Sequence, residues 1–495
     1  MTAERLTYRF GPLERRGLFG PVRSGQVAIL VLGALLAVAI LDAAPTATGA
    51  VAGTIAFAAC ALLCVVPLGG RTAQEWAPVA AAFCARRTTL ATRFRSSIPG
   101  RGLTWRSGSA GLVAPPAQAP RCLRDVQITE LAYRDRTLGA VSHAGGRRLI
   151  AVLACRVVSF ALLDPDAQER RLARWGMVLT SAAATPIRRI QWLERTAPAQ
   201  GDEVARWLHS ARDPAVPLRG TPIVESYLEL ISGSVRVAQD HEILVAVEVD
   251  GARLPERRPG DVQAALVEQA ERVARGLEAA EIKVLGALTC GQLARTLRTA
   301  FDPYARTELT ALAAVDPDRA DLDAANAWPL ALEEAWDHVR SDGAHHATYW
   351  IGGWPRVEVS PMFMDALLGS SDAVRTVAVT FEPVPPGRST REVEAAVTRD
   401  RADSELRRRF GQSETARQRQ AQEAALRREA ELAAGHSEVR LAGYVTVSGR
   451  DPDELRGACA RVVEHAARAR LELHRLYGQQ AAALTFTLPL CRGLR

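Results

Sequence analysis

The sequence predicts an α+β protein in which an N-terminal two-helix transmembrane hairpin precedes ferredoxin-like (split βαβ) cytoplasmic modules with a long helical insertion. Three observations predict this fold class: two uncharged apolar runs near the start, alternating strand-like and helical patterns after residue 120, and a late Arg-, Glu- and Gln-rich stretch. The 495 residues are 48% hydrophobic and 24% charged, with mean hydropathy near zero. This composition excludes wholesale disorder and a many-span transporter, and leaves room for several domains.

The net charge is +7, from 62 basic and 55 acidic residues, and Lys283 is the only lysine. This excess is too small for the chain length to indicate a nucleic-acid-binding protein. The eight cysteines form no CxxC pair, which disfavours a disulfide framework or a cysteine-based zinc site. The usage of Ala, Arg and Gly indicates a bacterial genome of high GC content.

The predicted hairpin covers residues 24–70, after a cytoplasmic segment at residues 1–23. Residues 24–41 are uncharged, and residues 43–70 are uncharged again after Asp42. Each run approaches or exceeds the roughly 20 residues that cross a bilayer core of about 30 Å. Arginines flank the two runs at positions 9, 15, 16, 23, 71, 86, 87, 93 and 95. The positive-inside rule therefore predicts two spans in a bacterial plasma membrane, with both termini and the large remainder cytoplasmic. A hairpin buried in a soluble domain is the alternative.

An interfacial helix and a linker are predicted over residues 71–120. Residues 74–87 place Trp76 near the predicted membrane exit and Arg86 and Arg87 beyond it, as in an amphipathic segment at the lipid headgroups. A helix packed on the soluble domain explains the same pattern. Residues 96–120 are rich in Gly, Ser and Pro and are typical of a linker.

Two α/β modules are predicted next, at residues 121–300 and 301–495, the second with a long helical segment at 389–434. The strand-like runs are 147–160, 187–195, 242–249, 282–287, 347–359, 374–384, 439–448 and 482–488. The helical patterns are 165–180, 260–280 and 452–477, with further helices around 204–234. The helix at 452–477 is the best determined, because Asp451 and Pro452 form a capping start and apolar residues recur every three or four positions.

No nucleotide-binding or hydrolytic motif is present. A P-loop needs a lysine directly after a glycine, whereas Lys283 follows Ile282. The GxGxxG, HExxH, GxSxG and zinc-finger spacings are also absent. The sequence therefore predicts a protein that is not an enzyme, with no catalytic, cofactor-binding or metal-ligating residue assigned and no cofactor.

The densest group of polar side chains is the segment from Asp337 to His346, which includes His338 and His345. Such imidazoles and carboxylates could bind zinc or iron. However, His345 and His346 would point to opposite faces of a strand. Asp342 and Gly343 more simply indicate a turn between a helix containing Trp336 and the next strand.

Two further patterns have a functional and a structural explanation. Arg407 to Arg419 could face DNA, but interspersed acids favour a solvated helix, so direct nucleic-acid binding is not expected. Trp328, Trp336, Trp350 and Trp354 could stack on bases, but core packing is favoured.

Three segments together resemble an actinobacterial conjugation-associated family with a PrgI-like membrane hairpin. They are residues 9–26 (RFGPLERRGLFGPVRSGQ), 75–78 (EWAP) and 342–351 (DGAHHATYWI). The hairpin resembles the small two-helix inner-membrane subunit of type IV secretion systems. Residues 443–490 resemble the end of the N-terminal domain of the conjugative traffic ATPase, whose motor domain would follow that point.

The resemblance implies a membrane-anchored, non-catalytic scaffold subunit of a conjugation or type IV secretion-like apparatus, which docks a separate traffic ATPase. The implied partners are that ATPase, other inner-membrane secretion subunits and the lipid bilayer. Three alternatives stay open: a membrane subunit of a type VII secretion core, a DNA-binding accessory protein, and a membrane-bound metal enzyme that uses residues 338–346.

Overall fold

A computed structural model describes residues 24–65, 67–68, 71–96, 119–133, 136–156, 160–198, 239–255, 258, 260–306, 324–355, 357–370, 372–392 and 437–494, with short pieces at 222–223, 225–226, 309, 395, 398 and 430–431. The chain divides into a smaller unit, formed by Gly11–Thr92 with Tyr477–Gln479, and a larger unit that contains Arg93–Leu476 and Gln480–Arg495. Most of the predicted linker and most of the helical segment at 389–434 lie outside the described residues.

The smaller unit is helical. Its elements are α1 (Ser24–Ala43), α2 (Ala47–Val65), β1 (Pro67–Leu68), β2 (Arg71–Thr72) and α3 (Ala73–Thr88). Helices α1 and α2 pack closely, because a side chain added at Gly33 would place its Cβ 2.8 Å from the Cβ of Cys60. The ring of Trp76 on α3 lies 5.8 Å from that of Tyr477, and Arg86 donates to the carbonyl of Gly478 at 2.5 Å.

The predicted transmembrane hairpin is wrong. Among the residues that the structure describes, no helix is both long and apolar enough to cross a bilayer. The prediction counted uncharged residues rather than helical ones. The helices end at Ala43 and Val65, and Asp42, which separates the two uncharged runs, lies within the last turn of α1.

The larger unit contains, within the described residues, one antiparallel sheet of 13 strands. These are β3 (Arg93–Arg95), β4 (Gln127–Tyr133), β5 (Arg136–His143), β6 (Arg148–Arg156), β7 (Ile187–Pro198), β8 (Gln239–Asp250), β9 (Lys283–Ala287), β10 (Ala331–Glu334), β11 (Val339–Ser341), β12 (Ala344–Gly353), β13 (Val374–Pro383), β14 (Val439–Gly449) and β15 (Glu472–Arg475). Their spatial order is β3-β10-β11-β12-β14-β13-β7-β8-β6-β5-β4, with β15 beside β12 and β9 beside β6. The predicted fold class is therefore wrong in its membrane hairpin, and the strands of both modules join a single sheet.

The helices of this unit whose two ends the structure describes are α4 (Pro165–Ala182), α5 (Asp261–Ala279), α6 (Cys290–Phe301), α7 (Asp365–Leu368), α8 (Pro452–Arg468) and α9 (Gln480–Leu484). The same connection order occurs twice. Module 1 runs β6-α4-β7-β8-α5-β9, and module 2 runs β12-α7-β13-β14-α8-β15. The sheet orders correspond as well, β9-β6-β8-β7 in one module and β15-β12-β14-β13 in the other. A hairpin precedes each module, β4–β5 before module 1 and β10–β11 before module 2.

The sheet buries side chains on both faces, as the alternation along β8 illustrates. Val245 and Val247 belong to a core that includes α4 and α5, whereas Leu244 and Ala246 belong to a core that includes α6. Because successive strand residues point to opposite faces, a continuous apolar run is required here. The eight cysteines all lie in the described residues and form no disulfide, and five of them are buried.

The end of the chain departs from the predicted pattern. Helix α8 begins as expected, because the Asp451 carboxylate accepts from the amides of Asp453 and Glu454 at 2.9 and 2.8 Å. It ends at Arg468 rather than Tyr477, since Arg470 has a φ of 58° and β15 follows. The predicted final strand at 482–488 is wrong, because this region forms α9 and a 3₁₀ turn. Spacing alone did not detect the left-handed residue that breaks the helix.

Candidate functional site at the junction of the two modules

The two modules meet where β7 pairs with β13, from Ile190 opposite Phe381 to Arg195 opposite Thr376. Each of these strands is the outermost strand of its own module, so the pairing covers two edges that would otherwise be open. Trp192 on β7 packs against the cores of both modules. The junction is therefore a continuous part of the sheet and not a flexible connection.

A buried cation lies at the junction, on the face of the sheet that packs against α4, α5 and α8. The guanidinium of Arg375 on β13 donates to the carbonyls of Leu368 and Ser370 at 2.6 and 2.5 Å, and it lies 4.0 Å from Glu194 on β7. Glu194 also approaches His241 Nδ1 at 2.8 Å. Burial lowers the pKa of Arg375, and the charge of Glu194 opposes this effect. Because removal of one partner would leave a buried charge unpaired, this group fixes how β7 and β13 meet.

A second buried arginine lies on the opposite face. Arg195 donates from Nη1 to Glu242 and to the carbonyl of Thr296, at 3.1 and 3.2 Å, and from Nη2 to Thr299 Oγ1 at 3.1 Å. A cavity of about 10 Å³ lies beside it. Its polar lining includes Arg195, Thr196, Thr299, Thr376, Thr446 and Ser448. Such a space accommodates about one water molecule and no larger ligand.

Residues 488–494 form a segment that we call the strap. It crosses the junction of the two modules on the same face of the sheet as Arg195. It is held by side chains: Cys491 N–H donates to Gln191 Oε1 at 2.8 Å, Thr380 Oγ1 donates to the Arg492 carbonyl at 3.1 Å, and Tyr444 OH donates to the Gly493 carbonyl at 2.6 Å. Gln191 belongs to module 1, and Thr380 and Tyr444 belong to module 2. The strap therefore ties both modules together.

A row of charged residues lies at one end of the sheet beside the strap. Arg189 on β7 donates to Glu382 on β13 at 2.9 Å, and neighbouring Glu248 on β8 is 4% exposed. Burial raises the pKa of Glu248 to about 7, although Arg189, Arg188 and Arg148 oppose that shift. Glu248 Oε2 has no hydrogen-bond partner. A carboxyl group that titrates near neutrality is thus enclosed among arginines.

The predicted polar segment at 337–346 is divided by the sheet, and it does not form one site. His346 is fully buried, and its ring nitrogens lie 2.8 Å from Ser448 Oγ and from the Phe301 carbonyl. The rings of His338 and His345 lie against each other in a tilted arrangement, with ring centroids 5.4 Å apart. In the part of the chain that the structure describes, no three His, Cys, Asp or Glu residues form a group that could hold a metal ion.

The turn prediction for this segment is partly confirmed. Asp342 and Gly343 do form a turn, but it joins strands β11 and β12, and Trp336 lies between β10 and β11 rather than in a helix. The Asp342 carboxylate binds Arg298 at 2.9 Å and accepts from the amides of Leu330 and Ala331. These contacts give the segment a structural role.

The remaining predicted groups are dispersed. Trp328 is in the core with α6, whereas Trp350 packs near His474 and Trp354 contacts the core of module 2. The tryptophans therefore form no common stacking surface. Arg407 to Arg419 lie outside the described residues.

The sequence argument missed the charged residues of the junction, Arg189, Glu194, Arg195, Glu248 and Arg375. The signal was available, since these residues interrupt strand-like apolar runs at 187–195, 242–249 and 374–384. A charge inside a run that must be buried on both faces requires a partner. The identity of that partner, however, depends on which strands pair.

The fold and the junction define an α+β protein that presents one broad sheet built from two joined modules. Residues 237–351 match a protein-family model described as "Putative type VII ESX secretion system translocon, EccE". The match covers less than a quarter of the chain. It runs from the start of β8 to Ile351, two residues before the end of β12. No curated protein matches the chain.

The match supports a component of a secretion system and indicates the type VII rather than the type IV kind. The interpretation as a conjugation or type IV protein with a PrgI-like hairpin is therefore wrong. That interpretation was based on short segments that are individually weak, and residues 9–23 of the first one lie outside the described residues. The matched region, in contrast, includes α5, β9, α6 and the β10–β11 hairpin as one continuous stretch.

Proposed function

We propose that this protein is a non-catalytic scaffold subunit of a type VII-like secretion translocon. The observation that carries the proposal is the family match at residues 237–351. The matched stretch supplies the second half of module 1 and the first strand of module 2, so it includes the connection between the modules. The spacing of the two modules is fixed by the pairing of β7 with β13, which lies outside the matched stretch. A scaffold needs a fixed spacing, because binding surfaces on two modules act together only then.

The proposed partners are other inner-membrane subunits of the translocon and its separate ATPase. The chain has no P-loop, so any nucleotide-driven step would come from the partner. A scaffold that holds the ATPase beside the membrane subunits raises the effective concentration of each for the other. We place the protein at the bacterial plasma membrane through these contacts, with the sheet on the cytoplasmic side.

The test is affinity purification of the tagged full-length chain from its own cells, followed by identification of type VII subunits. Leu285 on β9 is 52% exposed and lies within the matched region, whereas Leu162 is 81% exposed and lies outside it. We expect Leu285→Asp to reduce recovery of the translocon subunits severalfold and Leu162→Asp, the matched control, to leave it unchanged.

Recovery of no secretion subunit with the wild-type chain would contradict the proposal. Nucleotide hydrolysis by the purified chain alone would contradict the non-catalytic role. Fractionation tests the location: the protein should sediment with membranes in wild-type cells and leave them when the other translocon subunits are deleted.

A further inference from the structure

Besides the contacts of Gln191, Thr380 and Tyr444, one buried arginine binds the strap at residues 488–494 through two of its carbonyls. Arg189 donates from Nη1 to the Cys491 carbonyl at 3.2 Å and from Nη2 to the Leu494 carbonyl at 2.7 Å. Its Nε donates to Glu382 at 2.9 Å, which orients the guanidinium. Arg189 thus joins β7, β13 and the strap, and its position decides whether the carbonyls of Cys491 and Leu494 are satisfied.

The strap has no regular strand pairing of its own to replace these bonds. Cys491 and Gly493 have φ values of 50° and 103°, in the left-handed region. The left-handed conformation is costly for a residue other than glycine, so Cys491 keeps it only while the surrounding contacts hold it.

Glu248 is the neighbour of Arg189 across the β7–β8 ladder. It is buried, and its Oε2 accepts no hydrogen bond. The charged and titratable groups that face it are Arg148 on β6, Arg188 and Arg189 on β7, Asp250 on β8, Arg253 after β8, and Cys491 on the strap. The nearest charged contact is Arg188 Nε at 3.9 Å, so no partner neutralises Glu248 through a short bond.

We propose that Glu248 is a proton-operated latch that sets how firmly the strap is held across the two modules. With Glu248 neutral, Arg189 is free to bind Glu382 and the two strap carbonyls. With Glu248 ionised, a second buried carboxylate competes for Arg189, and opening of the strap admits water to the new charge. Deprotonation therefore loosens the strap.

The expected size follows from linkage between proton binding and opening. The pKa of Glu248 is about 7 with the strap closed, and opening returns it towards the ordinary value of 4.5. A group whose pKa is raised in the closed state favours closure at low pH, and this preference is lost as the pH rises through 7. Between pH 6 and pH 8 the opening equilibrium should increase about tenfold.

The experiment is amide hydrogen exchange on the full-length chain from pH 5 to pH 9, corrected for the intrinsic exchange rate. The reporter is the peptide that contains residues 488–494, and amides of α8 serve as an internal reference. In the wild type, the corrected exchange of the strap relative to α8 should rise about tenfold between pH 6 and 8.

Glu248→Gln mimics the neutral carboxyl and should hold the strap at its pH 6 level throughout. Glu268→Gln on α5, an exposed carboxyl, is the matched control and should keep the wild-type response. Should E248Q fail to fold, the wild-type profile still decides. A strap whose exchange is constant with pH overturns the latch, and so does a pH response that persists in E248Q.

Discussion

Modules 1 and 2 share one connection order but are stabilised differently. Between its first two strands, module 1 has α4 of 18 residues, which buries Val178 and Leu179 in the core. Module 2 has α7 of four residues at the same place, which buries Leu367. Arg375 binds the carbonyl of Leu368, the last residue of this short helix, and that of Ser370 just after it. The comparison indicates that, in module 2, the buried Arg375 at the C-terminus of α7 compensates for the stability that the longer apolar face of α4 provides in module 1.

The largest expected effect is that of Arg375→Ala. It leaves two partly buried carbonyls and the buried Glu194 without their cation, so we expect the free energy of unfolding to fall by about 3–5 kcal/mol. Urea denaturation measures this change. The control is Arg388→Ala, which removes an exposed pair with Glu392 and should change stability by less than about 0.5 kcal/mol. Equal effects of the two variants would refute the proposed compensation.

The second prediction compares the apolar contributions directly. Leu179→Ala in α4 and Leu367→Ala in α7 should each cost about 2–4 kcal/mol, because both side chains are buried. Thermal or urea unfolding gives the two values. A cost below about 1 kcal/mol for Leu367→Ala would mean that module 2 depends on Arg375 rather than on packing, which would sharpen the contrast.

The third prediction concerns the buried His346 of module 2. Burial lowers its pKa from 6.5 to about 4. Between pH 6.5 and pH 4 the histidine is therefore protonated in the unfolded chain but neutral in the folded one. The free energy of unfolding falls by up to about 3 kcal/mol as the pH drops through this range. His346→Gln should remove this loss when unfolding is measured at pH 6.5 and 4.5. An identical loss in wild type and variant would show that His346 is not responsible.

Module 1 and the β4–β5 hairpin before it provide a counterpart, with two groups whose pKa shifts have opposite signs. Burial also lowers the pKa of His143 to about 4, with the charge of Arg492 adding to the effect. Glu248 acts in the opposite direction, because its raised pKa makes protonation favour the folded state between pH 7 and 4.5. The His346 effect is therefore best measured as a difference between variants and not from the wild-type profile.

The smallest effect is expected at the start of α4. Asp164 accepts from the Ala167 amide at 2.7 Å and caps the helix that module 2 lacks. Asp164→Ala should lower the free energy of unfolding by about 1 kcal/mol, whereas Asp164→Asn and Asp164→Ser should retain most of that stability, because Asn and Ser also cap helices. Urea denaturation measures these stabilities. Near wild-type stability of Asp164→Asn would confirm that Asp164 acts as a helix cap, whereas a loss equal to that of Asp164→Ala would show that its charge is responsible.

Local patterns predicted individual elements better than their arrangement. The strand prediction at 374–384 and the start of α8 agree closely with β13 and with the cap at Asp451. The predictions failed where a decision was non-local. The helix was extended past Arg470 because its apolar spacing continues into β15, and Trp336 was placed in a helix although it lies in a hairpin.

The apolar segments of the N-terminus show the same limit. Residues 24–65 do form two helices, yet the count of uncharged residues did not determine where they end or what they do. An apolar run of that length is compatible with several environments. The described helices do not meet the length and hydropathy of a membrane span.

By itself, the sequence determined several of the strands and helices, the capped start of α8 at Asp451, and the absence of a nucleotide-binding motif. These properties depend on neighbouring residues or on spacings of three and four positions. Only the tertiary structure decided that β7 pairs with β13, that Arg375 approaches Glu194, and that Arg189, the neighbour of Glu248, binds the strap. Those contacts join residues far apart in the chain, and their energies arise from burial and charge pairing that exist only after the sheet has formed.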